Sequence, residues 1–343
     1  MRALVTGGSG YFGSLLINKL INKGFNVGSL DINKPEVLSS EVPFHQVDIR
    51  DYNALKKNLA GYDLVFHNVA QVPLAKNKTL FWEVNVQGTT NICRASVENN
   101  VRKLIYTSSS AIYGIPQCNP VDEKTIPIPG ESYGKAKLEG EKICFDYHKK
   151  GIDVAVVRPR TIMGHGRLGI FSILFNWVSE GINIPVLDDG KNIYQFVHAD
   201  DLAEACILAS KNNSKYSSYN IGASDYTTMR KTLESLCAYA GTGSKVYSLP
   251  LKPIEIGMNV FSKLNLIPLG HYHSLMYGRS LYFNTSKAKE ELGFESKVTT
   301  NEMFSESYEW YLKNIKNEKL NIKGSSHQKP INQALLRMFK LFS

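Results

Sequence analysis

Tyr133-Gly134-Lys135-Ala136-Lys137 sets a phenol and an ammonium four residues apart, which on a helix puts both on one face. A phenol is a weak base at neutral pH, with a reference pKa of about 10. An ammonium beside it stabilises the phenolate and draws that pKa toward the working range, which suits proton transfer to or from an alcohol. Upstream, Ser108-Ser109-Ser110 follows an apolar stretch, and Ser109 can hydrogen-bond the oxygen that exchanges the proton. Such a set acts on a hydroxyl or ketone and needs a hydride carrier, because hydride chemistry belongs to a cofactor.

The opening of the chain offers the carrier a seat. A short apolar run, Ala3-Leu4-Val5, breaks into glycines at Gly7, Gly10 and Gly13, then resumes with helical spacing at Leu15, Leu16, Leu20 and Ile21. Strand, glycine turn and helix form a dinucleotide cradle. Gly7 takes the tight turn, Gly10 admits a pyrophosphate, and Gly13 lets the helix lie close to the strand. Free N–H groups at the helix start face the anion. The Gly-x-x-Gly-x-x-Gly spacing differs from the commoner Gly-x-Gly-x-x-Gly, and a glycine-rich turn of another kind is the plain alternative. Asp31 ends a second strand and suits the ribose diol of NAD, whereas its carboxylate repels the 2′-phosphate of NADP; Lys34 softens that preference. Asp48-Ile49 ends a third strand, where a side chain can meet an adenine edge. Asn68-Val69-Ala70-Gln71 puts small residues at the end of a fourth, in which His67 reads as a structural histidine.

Stepping from residues to elements, alternating strands and helical segments predict an α/β fold, a Rossmann-type doubly wound parallel sheet. Strands are expected over 103–107, before the serines, and over 153–159. Beyond them the pattern loosens into helices over 171–180 and 202–210, short strands and loops, read as a smaller C-terminal substrate-binding region. The expected division is 1–160 for the dinucleotide-binding core, to which later segments return, 161–315 for the substrate side, and 316–343 for a basic amphipathic tail. If helical, that tail turns Leu335, Met338, Phe339 and Phe342 one way. It then docks on its own domain, on a sister subunit, or weakly on an anionic membrane surface.

The 343 residues, 43% hydrophobic and 21% charged, match a globular protein with ample core. A net charge of +9 with scattered Lys and Arg suits an anionic ligand such as a diphosphate and leaves no nucleic-acid footprint. Five separated cysteines with no Cys-x-x-Cys pair argue against a disulfide framework and structural zinc. Met163, His165 and His271-x-His273 supply no adequate ligand set, so no metal is expected. With no leader pattern at the start and no run as long as a membrane span, a cytoplasmic protein is expected.

On these residues the chain resembles an extended short-chain dehydrogenase/reductase, of the NAD-dependent epimerase/dehydratase type that includes UDP-galactose 4-epimerase. The resemblance runs from residue 1 to about Leu312. Further landmarks are Asn85-Val86-Gln87-Gly88-Thr89, Ser108-Ser109-Ser110-Ala111-Ile112-Tyr113-Gly114, Arg158-Pro159 and Phe196-Val197-His198-Ala199-Asp200-Asp201. It implies Ser109, Tyr133 and Lys137 as the catalytic set, with Tyr133 the acid/base and Lys137 also a ligand of the nicotinamide ribose. It further implies an NAD site built from Gly7, Gly10, Tyr11, Phe12, Gly13, Asp31, Ile32, Asp48, Ile49, Val69, Ala70, Gln71, Asn85, Thr107 and Pro159. A homodimer follows by the same analogy.

Departures narrow the activity. Sugar 4,6-dehydratases carry an Asp-Glu pair where Ser110-Ala111 stand, which argues against dehydration. The 4-epimerases place a diphosphate-gripping arginine at the position of Tyr194 and an asparagine at that of Thr161. Arg160 and Arg167 are then either substitute diphosphate ligands or surface residues. Substrate contacts are expected from Ser109, Ser110, Thr161, Arg167 and Tyr194. The favoured reading is an enzyme acting on a ring hydroxyl, at C4, of a nucleotide-activated sugar, epimerase ahead of ketoreductase. The alternative is a 3β-hydroxysteroid-dehydrogenase-like or dihydroflavonol-reductase-like enzyme of a lipophilic alcohol, favoured by the missing arginine and the apolar 169–178 segment. The intact Ser109, Tyr133 and Lys137 speak against a non-catalytic NAD-binding regulator.

Overall fold

The computed structural model describes residues 1–35, 39–71, 78–167, 169, 171–250 and 278–316. The His271-x-His273 pair and the amphipathic tail lie outside them. Ala3, Leu4 and Val5 form the middle of β1 (Arg2–Thr6) and are fully buried, as a strand covered on both faces requires. From β1 the chain runs through α1 (Tyr11–Asn22), β2 (Asn26–Asp31), β3 (Phe44–Gln46), α2 (Tyr52–Asn58) and β4 (Leu64–His67). α3 (Lys78–Trp82) and α4 (Thr89–Glu98) follow, then β5 (Lys103–Thr107), α5 (Ser132–His148) and β6 (Asp153–Pro159). The helix expected without interruption after residue 80 widens its winding over Glu83–Gly88. There Asn85 turns inward, and a Cβ on Gly88 would meet Ile49 Cδ1 at 2.3 Å.

The second half adds β7 (Thr161–Met163), α6 (Phe171–Ser179), β8 (Ile184–Leu187), β9 (Phe196–His198), α7 (Ala199–Lys211), β10 (Tyr216–Ile221), α8 (Met229–Ala240) and β11 (Val246–Leu249). Two further helices, α9 (Ser286–Leu292) and α10 (Thr300–Tyr311), follow. The seven-stranded sheet has the order β10-β6-β5-β4-β1-β2-β3, every pair parallel. One face is covered by α1 and α7 through Leu16, Ile17, Leu20, Leu202 and Cys206. The other is covered by α2, α4 and α5 through Leu55, Ile92, Cys93 and Cys144. A third apolar cluster gathers Phe175, Val178, Leu233, Met303, Phe304 and Tyr308 from α6, α8 and α10. The order reverses at β1, between β2 and β4, and that crevice at the strand ends is where an open α/β sheet binds its ligand.

Candidate active site

A cavity of about 620 Å³ occupies that crevice. At its floor Gly7 has a positive φ of 72°, and a Cβ on Gly13 would meet Gly7 O at 2.0 Å. α1 can therefore seat itself on the turn only if residue 13 has no side chain. Gly10 caps the helix with no side-chain acceptor, which leaves the first-turn N–H groups open to an anion. Asp31 Oδ2 accepts from Ser9 N at 3.2 Å and Oδ1 from Asn33 N at 3.0 Å, while burial raises its pKa. Asp48 is held below the usual range, chiefly by the Arg50 side chain that bonds both its oxygens. These residues, with Tyr11, Phe12, Ile32, Ile49, Val69, Ala70, Gln71, Thr107 and Pro159, line one continuous wall. A phosphate-sized approach at the glycines and a carboxylate one strand away fit NAD.

Ser109, Tyr133 and Lys137 line the other end of the same cavity. α5 carries the last two, and Glu131 begins it by accepting from both Tyr133 N and Gly134 N at 2.6 Å. A Cβ on Gly134 would meet Ala111 O at 2.3 Å and one on Gly140 would meet Tyr106 Oη at 2.2 Å, so glycines bring the helix hard against the ends of the sheet. The expectation that Lys137 lowers the Tyr133 pKa is corrected. Burial pushes the phenol up to about 12, against the lowering effects of the Ser109 side chain and the Arg167 guanidinium. Lys137 Nζ instead donates to Thr107 O at 2.9 Å, and burial draws its pKa down to about 8. Helical spacing shows which residues share a face; it does not show how far each has left water.

Behind the serines stands a polar strut that sequence reasoning missed. Ser108 Oγ donates to Glu141 Oε1 at 2.5 Å, and Glu141 takes Arg158 Nε at 2.9 Å and Nη2 at 2.7 Å. Arg158 Nη1 reaches Tyr113 Oη at 2.8 Å, which donates to Asn220 Oδ1 at 3.0 Å. Glu141 lies one helical turn past Lys137, the only hint the sequence offered. His67 is buried between Thr6 Oγ1 and Thr89 Oγ1, at 2.8 and 3.1 Å, and burial lowers its pKa to about 3, a neutral structural histidine.

Two expected site residues stand behind the wall. Asn85 clasps the Gln71 backbone, accepting from its N at 3.0 Å and donating to its O at 3.2 Å, and does not line the cavity. Tyr194 is likewise set back, its hydroxyl 2.8 Å from Thr161 Oγ1. Ser110, Thr161, Arg160 and Arg167 do line it, and neither arginine is a plain surface residue. Arg160 is 1% exposed; Arg167 lies 5.5 Å from the Tyr11 ring centroid, its pKa lowered by burial.

His165 also gains unforeseen company. Glu306 Oε1 lies 2.6 Å from His198 Nε2 and 3.2 Å from His165 Nδ1, the ligand atoms of the trio all within 4.8 Å of one another. Asp200 N donates to His198 Nδ1 at 3.2 Å, capping α7. That fixes the hydrogen on Nε2, which donates to Glu306, so the trio is a hydrogen-bonded cluster. Burial raises the Glu306 pKa, but the hydrogen bonds with His198 and His165 leave it lowered overall.

A model of the NAD dependent epimerase/dehydratase family matches residues 3–222. Uncharacterized protein y4nG of Sinorhizobium fredii is 50% identical over 98% of this chain and 85% of its own length. The crystal structure of a UDP-glucose 4-epimerase with UDP-glucose from Thermotoga maritima is 26% identical, with a TM-score of 0.76, and covers 91% of this chain and 99% of that one. A Thermus thermophilus UDP-glucose 4-epimerase in complex with NAD is also 26% identical, with a TM-score of 0.73 over 91% of this chain and 99% of its own. The chain therefore belongs to the NAD-dependent epimerase/dehydratase family.

Proposed function

We propose that this NAD-dependent enzyme interconverts a hydroxyl and a ketone at C4 of the sugar in a nucleotide-activated hexose, returning the hydride to invert that carbon. The observation that carries the reading is the placing of Ser109, Tyr133 and Lys137 in the same cavity as the glycine turn. Tyr133 Oη takes the proton from the C4 hydroxyl and later gives it back. Ser109 orients the sugar oxygen toward that phenol; its own oxygen is fixed by accepting from Ala111 N at 3.1 Å. Lys137, anchored to Thr107 O, would hold the ribose of the bound dinucleotide. Bound NAD supplies the hydride acceptor and the positive ring that favours a phenolate nearby. Val69, Ala70 and Pro159 exclude water around it. Pairing of two subunits is part of the proposal and is checked by light scattering of the eluted protein.

The test is to denature the purified protein, identify the released nucleotide, and incubate the native form with UDP-glucose and UDP-galactose without added NAD. Interconversion that disappears with Tyr133→Phe supports the reading; turnover only with added NADH, with net absorbance change, refutes an epimerase. A second reading, oxidation of a lipophilic alcohol, draws on the apolar Ile162 and Phe171 in the substrate half of the wall. Activity on a steroid alcohol and none on nucleotide sugars would replace the first reading with it.

A further inference from the structure

The two ends of the cavity differ in charge. Its acidic lining, Asp31 at the end of β2 and Asp48 just past β3, stands on the glycine-turn side, where Arg50 of the same wall pairs with Asp48. At the reaction end Lys137, Arg160 and Arg167 line the wall, with no Asp or Glu among the described residues there. Arg160 is the most deeply buried of the three, 1% exposed. Its Nη1 donates to Ser110 Oγ at 2.8 Å, but among the described residues Nε and Nη2 are buried without a hydrogen-bond partner. Arg158, two residues earlier, is matched by the Glu141 carboxylate. The Arg160 Cζ lies 4.7 Å from the Tyr194 ring centroid and 5.8 Å from that of Phe283, faces that offset only part of a buried charge. An unpaired guanidinium away from water is costly, and the missing counter-charge is one that a ligand can bring.

We propose that Arg160 is a specificity-determining residue that selects a nucleotide-activated hexuronate, a substrate with a carboxylate on the reacting ring. This narrows the substrate class of the C4 reading above and rests on it. Because Nη1 occupies a lone pair of Ser110 Oγ, the Ser110 hydroxyl hydrogen is left to donate into the cavity, strengthened by the charge behind it. Ser110 adjoins Ser109, so the group it meets lies beside the reacting carbon. On a pyranose the diphosphate leaves from C1, across the ring from C4. C6, one bond beyond the neighbour of C4, is the adjacent position that becomes anionic on oxidation to a carboxylate. Arg160 acts on that carboxylate through the Ser110 hydroxyl and through its own field.

The test uses the holoenzyme as isolated. kcat/KM is measured for UDP-glucuronate and UDP-glucose with the wild type, Arg160→Lys and Arg160→Gln. The wild type is expected to favour UDP-glucuronate, and the glucuronate-to-glucose ratio to fall on the order of ten- to a hundredfold in Arg160→Gln, with the lysine variant between. Arg160→Met guards against a folding failure through ligand-induced shifts in Tm. UDP-glucuronate should raise the wild-type Tm by more degrees than that of the methionine variant, while UDP alone raises both alike. A wild type that prefers UDP-glucose, or a glutamine variant that loses both sugars equally, overturns the inference and leaves the C4 reading standing. A UDP shift that depends on Arg160 assigns the guanidinium to the diphosphate and also overturns it. If neither sugar is turned over or shifts the Tm, both readings fall together.

Discussion

Tyr133 has a phenol pKa of about 12 and Lys137 an ammonium pKa of about 8 because each left water before meeting an opposite charge. In cofactor-free protein, the phenolate band in the wild-type minus Tyr133→Phe difference spectrum should therefore rise near pH 12 rather than 10; a midpoint at or below 10 contradicts the burial argument. For the reaction, Tyr133→Phe should lower kcat on the order of a hundred- to ten-thousandfold with bound NAD retained, read from turnover and from released nucleotide. Lys137 has a sign of its own. Its folded pKa lies below the unfolded value of 10.5, so between about pH 8 and 10.5 the unfolded chain holds the extra proton and stability rises with pH. The rise reaches about 3 kcal/mol at most. Tyr133, shifted upward, loses its contribution only above pH 10, so Lys137→Met should flatten the slope of denaturation midpoint from pH 8 to 10. The sequence identified both residues and their shared face. Their protonation was illegible there, because desolvation depends on what the rest of the chain packs above them.

At the level of elements, α1 and α5 are both positioned by glycines that tolerate no Cβ. Gly13→Ala would drive a methyl into Gly7 O, so α1 must lift from the turn; NAD retention on gel filtration should drop while the fold persists. Gly134→Ala meets Ala111 O, a backbone atom that cannot swing aside, and should cost about 1–3 kcal/mol in denaturant unfolding. The Glu141–Arg158 pair fastens α5 to β6, and both side chains are nearly out of water, at 6% and 9% exposure. Glu141→Ala strands the guanidinium and should destabilise by about 3–5 kcal/mol by the same measurement. The glycine turn was legible because its spacing is local. That Asn85 and Tyr194 stand behind the wall was not legible, because their direction is set by Gln71 and Thr161, partners 14 and 33 residues away. Glu306 could not have been tied to His198 at all, 108 residues earlier.

Across the whole molecule, residues 1–160 do not close their own sheet. β10 hydrogen-bonds along β6, and α7 lays Leu202, Ala205, Cys206 and Ile207 on the face opposite α5. Expressed alone, the 1–160 piece should expose that apolar face and collect in the insoluble fraction, whereas the full chain should unfold in one cooperative transition. Separate transitions for the two halves would contradict this. Alternating strands and helices made the doubly wound sheet readable, since their period is imprinted every few residues. The return of β10 was less so, because a six-residue strand looks the same at an edge as anywhere else.

The order β3-β2-β1-β4-β5-β6-β10 has one more property: starting from β1, each strand joins at a rim of what precedes it, and none is threaded between two already paired. A nascent chain leaving the ribosome can thus lay its sheet outward from the centre, with every newly emerged strand finding an open border waiting. The rim of β6 stays bare until β10 emerges, so a pause in translation before residue 216 would leave that border free to recruit a foreign strand.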